Sequence, residues 1–146
     1  MKKNDLYMIS GTEYKEMTKE ILAQSDLWAE IKKKAEQKQK DADQMLIGIK
    51  PNLVSPTEAS YGATTHPEIV AGIIEYLQER SCQHIVMLES SWVGDKTSES
   101  MEVCGYDRLV EKYNVPFWDM QLDESSEVDC AGMRLQICSS VRKLDF

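Results

Sequence analysis

Lys50, Asn52, Thr64, Thr65 and His66 border one polar stretch of the chain, and Glu89, Ser90, Ser91, Asp95, Lys96 and Thr97 border a second. An ammonium, an amide, hydroxyls and an imidazole are the groups that recognise phosphate or carboxylate, because each donates hydrogen bonds or positive charge to an anion. We therefore read Lys50, Asn52, Thr64, Thr65, His66, Ser90, Ser91 and Lys96 as ligand-binding candidates for a small anionic molecule. His66 and Glu89 are the candidates for a general base, since imidazole titrates near neutrality and a carboxylate can accept a proton. Each residue has a plainer use as well: Lys50 at a strand end, Asn52 in an Asx turn, the threonines and His66 as helix caps.

Other chemistries are excluded by spacing. A phosphate-binding loop needs glycine, four residues, then Gly-Lys-Ser/Thr, whereas Glu89 occupies the first glycine's place and Asp95 separates Gly94 from Lys96. The chain has no Gly-x-Gly-x-x-Gly fingerprint for a dinucleotide. With only His66 and His84, no nucleophile–base–orienter triad assembles. Cys82, Cys104, Cys130 and Cys138 are separated by 22, 26 and 8 positions, so none forms the closely spaced pair of zinc or cluster sites. They read as reduced thiols packed as small apolar residues. No metal site and no cofactor is expected within this chain.

The elements that must position the polar stretches are legible in the apolar pattern. Met45–Ile49 is a compact apolar run stopped by Lys50-Pro51, because proline cannot donate to a ladder, and reads as a buried strand. About fifteen loop residues lead to a helix starting at Thr65-His66-Pro67-Glu68. Either Thr65 caps it with Glu68 as a capping box, or His66 is the cap and Pro67 the first helical residue; the restriction on residues before proline suits the second. Ile69, Val70, Ile73, Ile74 and Leu77 form its apolar face, to an end near Arg80. His84–Leu88, closing at Glu89, is a second strand, and strand, helix, strand in this order is a βαβ unit. A helical stretch from Ser98 to Tyr113, interrupted at Gly105, precedes a third strand, Val115–Trp118, ending in Asp119. In an open parallel sheet, ligands bind beyond the carboxyl ends of the strands, which is where the two polar stretches and Asp119 fall.

Around this core the reading is as follows. Asp5–Ile9 is taken as a short opening strand, with Thr12 starting a helix. Tyr14, Met17, Ile21, Trp28, Ile31 and Ala35 recur at helical spacing, on one helix or on two broken near Ser25-Asp26. Lys32–Asp43 reads as a frayed helix end with little to bury, its lysines forming a solvated face. Gln121–Asp129 reads as an acidic loop, and Met133–Cys138 alternates like an antiparallel strand. The fold class is α/β, three-layered, with a mainly parallel sheet on a βαβ unit over about 45–119. It forms one domain, with a strand-and-helix segment at 1–43, the core at 44–119 and an acidic loop and strand at 120–146. Because Leu144-Asp145-Phe146 resembles the start of a further element, the chain reads as a piece of a longer protein.

The chain has 146 residues and a formal charge of −8, and the excess of acid lies beyond residue 50: ten basic groups meet nine acids in 1–50, against seven and sixteen in 51–146. Such a balance repels nucleic-acid phosphates, so no nucleic-acid partner is expected. Nor is a membrane partner, since the apolar runs fall far short of the roughly 20 residues a spanning helix needs. The charged start lacks an apolar signal region, which makes a cytoplasmic location the expectation.

Ile49-Lys50-Pro51-Asn52-Leu53, Thr64-Thr65-His66-Pro67-Glu68-Ile69-Val70 and Glu89-Ser90-Ser91 resemble, in order and spacing, the domain of unknown function 362 (DUF362) family over about residues 5–125. The resemblance implies an α/β domain, usually within a longer bacterial or archaeal protein that often carries ferredoxin-like [4Fe–4S] motifs further along. It brings no settled activity, and it singles out Lys50, Asn52, Thr65 and His66 as motif positions. It further implies an iron–sulfur-associated redox protein, with any cluster in downstream sequence. The contrasting expectation is a non-enzymatic interaction module whose acidic second part meets a basic partner and whose motif residues only fix turns and caps; a protein partner or a homo-oligomer is compatible with either reading.

Overall fold

The computed structural model describes residues 5–146. Two helices, α1 (Tyr14–Gln24) and α2 (Leu27–Lys38), precede strand β1 (Ile47–Ile49). Helix α3 (Pro67–Gln78), strand β2 (Ile85–Glu89), helices α4 (Thr97–Val103) and α5 (Tyr106–Tyr113) and strand β3 (Phe117–Asp119) follow. Strands β4 (Ser125–Cys130) and β5 (Met133–Cys138) form a separate antiparallel hairpin. The main sheet is parallel, in the order β1-β2-β3, with Ile47 beside Ile85 and Met87 beside Phe117. This is the α/β class that the apolar pattern predicts. Among the described residues, no helix is long and apolar enough to cross a membrane.

Alternation along the strands divides the core in two. Ile47, Ile49, Ile85 and Met87 face the helices, where they pack with Val70, Ile74 and Leu77 of α3, Tyr106 and Leu109 of α5, and Ile31 and Ala35 of α2. Val86 and Leu88 face the other way, against Met120, Trp118, Leu144 and Cys138 at the foot of the hairpin. Both crossovers keep their helices on one face, so the opposite face is left to the end of the chain.

Two glycines sit where backbones or side chains approach closely. A Cβ on Gly72 would lie 2.6 Å from the Lys15 carbonyl and 2.8 Å from Thr18 Cβ, so α1 crosses α3 only because position 72 is bare. One on Gly48 would lie 2.5 Å from Leu144 Cδ1 and 2.9 Å from Leu88 Cδ2. Gly48 thus leaves the hole that Leu144 fills. The residues after Leu144 pair with β1: the Leu46 carbonyl accepts from Asp145 (2.8 Å) and Phe146 (3.3 Å), and Gly48 donates to the Phe146 carbonyl (2.8 Å). Phe146 is therefore bracketed by Leu46 and Gly48 as in a parallel pair.

That edge accounts for one correction. Asp5–Ile9 forms no strand: Leu6 and Met8 are exposed, and the outer side of β1 is taken by Asp145 and Phe146. A second concerns Lys32–Asp43, which is helical through Lys38 and ends at left-handed Gln39, because Ile31 and Ala35 are fully buried against the core. Asp26, also left-handed, breaks α1 from α2 at the expected place. The third concerns Gln121–Asp129, whose second half is strand β4. Its acids Glu127 and Asp129 alternate with Ser126 and Val128, and the ladder to β5 holds them in register.

Candidate functional site

The carboxyl ends of β1 and β2 leave the sheet side by side and remain joined. Lys50 immediately follows β1, and Glu89 is the last residue of β2. Lys50 Nζ lies 2.7 Å from Glu89 Oε2. The Glu89 side chain is 5% exposed, whereas that of Lys50 is 61% exposed, so a buried carboxylate holds an ammonium at the surface. Glu89 Oε2 also accepts from the Leu53 N–H (3.3 Å), and Oε1 from the N–H of Ser90 (2.7 Å). A charge this deep requires such company, because an uncompensated buried carboxylate costs several kcal/mol. Both Glu89 oxygens already accept, and Lys50 retains N–H donors facing solvent.

Further along, the two loops stay fastened. Ser91 Oγ donates to the Leu53 carbonyl (2.7 Å) and lies 2.9 Å from Ser100 Oγ, and the Trp92 N–H donates to the Val54 carbonyl (2.8 Å). Thr97 Oγ1 accepts from the Ser91 N–H, and the Thr97 N–H donates to Gln121 Oε1. Gln121 Nε2 reaches the carbonyls of Asp95 (2.8 Å) and Ser91 (3.4 Å). Asp119 turns the third loop by accepting from the Gln121 N–H. Ser91 is buried and its hydroxyl is used within the protein, while Ser90 and Lys96 are exposed.

The loop from β1 to α3 is closed at its base. Asn52 and Thr65 exchange bonds: the Asn52 N–H donates to Thr65 Oγ1 (2.9 Å), and the Thr65 N–H to the Asn52 carbonyl (2.8 Å). Asn52 Nδ2 donates to the Ala63 carbonyl and Thr64 Oγ1 to the Thr57 carbonyl, so these side chains shape the loop. From beneath, the Tyr106 hydroxyl donates to the Thr65 carbonyl (3.0 Å), and burial pushes the Tyr106 phenol well above its usual value. Thr65 is thereby committed to the loop. His66 takes the N-cap position with extended backbone, Pro67 begins α3, and the His66 side chain makes no capping hydrogen bond.

His66 faces elsewhere. Its ring lies 4.5 Å from that of Tyr14, on the lip of an open cleft of about 950 Å³ between α1, α3 and the α4–α5 corner. Glu13, Glu68, Cys104 and Arg108 are among the cleft's walls; of the residues selected from sequence, only His66 lines it. The structure thus brings Lys50, Glu89, Ser90 and Ser91 together at the strand ends, with Asn52, Thr64 and Thr65 building the adjoining loop. His66 belongs to a different concavity on the helix side.

Tyr106 and Gln121, which fix the two loops, were not among the sequence candidates. Nothing local marks them, since Tyr106 reads as core and Gln121 as a loop residue. The cysteines do not form a cluster site. Cys82 and Cys104 are buried, with their thiols toward the Met45 and Thr57 carbonyls, Cys130 is exposed, and Cys138 lies at the hairpin's foot. Among the described residues, no three His, Cys, Asp or Glu side chains converge to hold a metal. The residues present do not fit a [4Fe–4S] cluster.

A family model described as a domain of unknown function (DUF362) matches residues 47–146, from β1 to the last residue, leaving α1 and α2 ahead of the match. No curated protein and no solved structure matches the chain.

Proposed function

The chain belongs to the DUF362 family, and from that premise we propose that it is a binding domain for a small anionic molecule, held at the carboxyl ends of β1 and β2. The observation that supports this reading is the Lys50–Glu89 pair: a buried carboxylate fixes an ammonium that is itself 61% exposed, at the end of a parallel sheet where such folds bind ligands. Glu89 positions Lys50, and Lys50 offers its remaining N–H groups to phosphate or carboxylate. Ser90, the exposed residue that follows Glu89, offers its hydroxyl as a second donor. The redox association implied by the family resemblance would be supplied by iron–sulfur sequence outside this chain.

Thermal unfolding against inorganic phosphate, acetate and succinate tests the proposal, since a ligand that binds only the native state raises the midpoint by mass action. The expected result is a rise with at least one anion that vanishes in Lys50→Ala. A rise of equal size in Lys50→Ala, or none with any anion, refutes it.

A second reading, a protein-interaction module, is favoured by the hairpin. Val128, Cys130, Met133, Leu135 and Ile137 share one face by register, and Met133 and Leu135 are exposed. On that reading, Met133→Ser with Leu135→Ser abolishes capture of a partner while Lys50→Ala leaves it intact.

A further inference from the structure

The turn after β2 presents an aromatic ring to solvent from an anchored backbone. Trp92 is 68% exposed and Val93 94% exposed. An indole left in water forgoes the large burial that usually fixes tryptophan in a core. The backbone beneath it is nevertheless held on both sides. The Trp92 N–H donates to the Val54 carbonyl (2.8 Å), the Asp95 N–H closes the turn on the Trp92 carbonyl (3.0 Å), and Gln121 Nε2 grips the Asp95 carbonyl (2.8 Å). Gly94, at φ +104°, supplies the conformation the turn needs at its tip.

Position gives the ring its meaning. Trp92 is three residues beyond Glu89, so their Cα atoms are at most about 11 Å apart even along a fully extended chain. Glu89 in turn holds Lys50 Nζ at 2.7 Å. The exposed indole and the partly exposed ammonium therefore rise from the same end of the sheet, on loops joined by the Trp92–Val54 hydrogen bond. Two apolar side chains on one turn offer far too little area for a stable protein interface, which needs upwards of about 1,000 Å². They suffice for one planar ring.

We propose that the site at the carboxyl ends of β1 and β2 takes an anion carrying a planar aromatic ring, with the anionic group on Lys50 and the ring stacked on Trp92. This rests on the reading of Lys50 as an anion site and names the ligand class. An aromatic carboxylate and a nucleoside monophosphate share this chemistry, and the probes separate them.

The experiment compares benzoate with acetate, and adenosine monophosphate with inorganic phosphate, by calorimetric titration into the parent chain, Trp92→Ala, Trp92→Phe and Lys50→Ala. In the parent, the ring-bearing member of at least one pair should bind about tenfold more tightly than its ring-free partner, as base–aromatic stacking does elsewhere. Trp92→Ala should erase that advantage and leave the ring-free anion's affinity unchanged, Trp92→Phe should keep part of it, and Lys50→Ala should weaken both members. Equal affinities within both pairs for the parent, or an advantage that survives Trp92→Ala, overturn the ring assignment while leaving anion binding standing. Failure of every anion to bind the parent overturns both. Circular dichroism of the variants guards against loss of fold.

Discussion

Two buried carboxylates stand at opposite ends of the parallel sheet, built from the same chemistry and differing in what they leave free. At the amino end of β1, Asp145 is 7% exposed and receives Lys38 Nζ (2.9 Å), Lys40 Nζ (2.7 Å) and the Leu46 N–H (3.0 Å). At the carboxyl end of β2, Glu89 receives one lysine and two backbone amides. The Asp145 clasp ties the end of the chain to the end of α2 and the start of β1. Two lysines are gathered there on one acid. The Glu89 arrangement commits a single, more exposed lysine and holds it beyond a strand end. One carboxylate fastens chain segments together, and the other displays a cation.

The largest expected effect falls on the fastening. Asp145→Ala strips Lys38, Lys40 and the Leu46 amide of their acceptor at once and should cost about 2–3 kcal/mol in denaturant unfolding. The sign of its pH dependence follows from linkage. Hydrogen bonds from Lys40 first, then from the Leu46 amide, and the charge of Lys38 hold the Asp145 carboxyl well below the usual carboxylate range. A folded value below the unfolded one means that the stabilisation is complete above the ordinary aspartate value of 3.8 and is lost as the pH falls below it. In Asp145→Ala that segment of the acid-unfolding profile should flatten. A profile identical to the parent's would show that the clasp contributes nothing.

An intermediate effect tests how the end of the chain is seated. Gly48→Ala drives a Cβ into Leu144 and Leu88, both flexible side chains, and should cost about 1–2 kcal/mol by overpacking. Leu144→Ala opens the space that the new methyl needs. The double variant should therefore lose less than the sum of the two single changes, and strict additivity would mean that Leu144 does not occupy the hollow over Gly48.

The smallest stability effect should belong to Lys50. Lys50→Ala leaves Glu89 its two amide donors and opens it to water, so a loss of under about 1 kcal/mol is expected by chemical denaturation. A loss as large as that of Asp145→Ala would place Lys50 among the structural staples and erase the distinction between the two ends.

How far the residues foretold this arrangement depended on range. Ile47–Ile49, Ile85–Glu89 and Phe117–Asp119 were legible as strands because short apolar runs end at Pro51, Glu89 and Asp119, and α3 because His66-Pro67 starts it. The Gly105 break was legible too, since α5 begins beyond a glycine at φ +76°. What stayed hidden were contacts between distant residues. Asp145 meets Lys38 and Lys40 across more than a hundred positions, and nothing local in Leu144-Asp145-Phe146 announces it. The same holds at the site. Lys50 and Glu89 could be placed at neighbouring strand ends, but not their ion pair, nor the rotation of His66 toward Tyr14 and the cleft. Strand β4 was missed because a run of acids reads as loop until β5 supplies its ladder.

The most direct test of the display at the carboxyl end is calorimetric titration of inorganic phosphate and acetate into the parent chain and into Lys50→Ala, at low ionic strength so that screening does not mask a surface charge. The account predicts saturable binding of at least one of these anions to the parent, and at least a tenfold loss of affinity in Lys50→Ala at unchanged fold. Binding that is indifferent to Lys50, or absent from the parent, would contradict it.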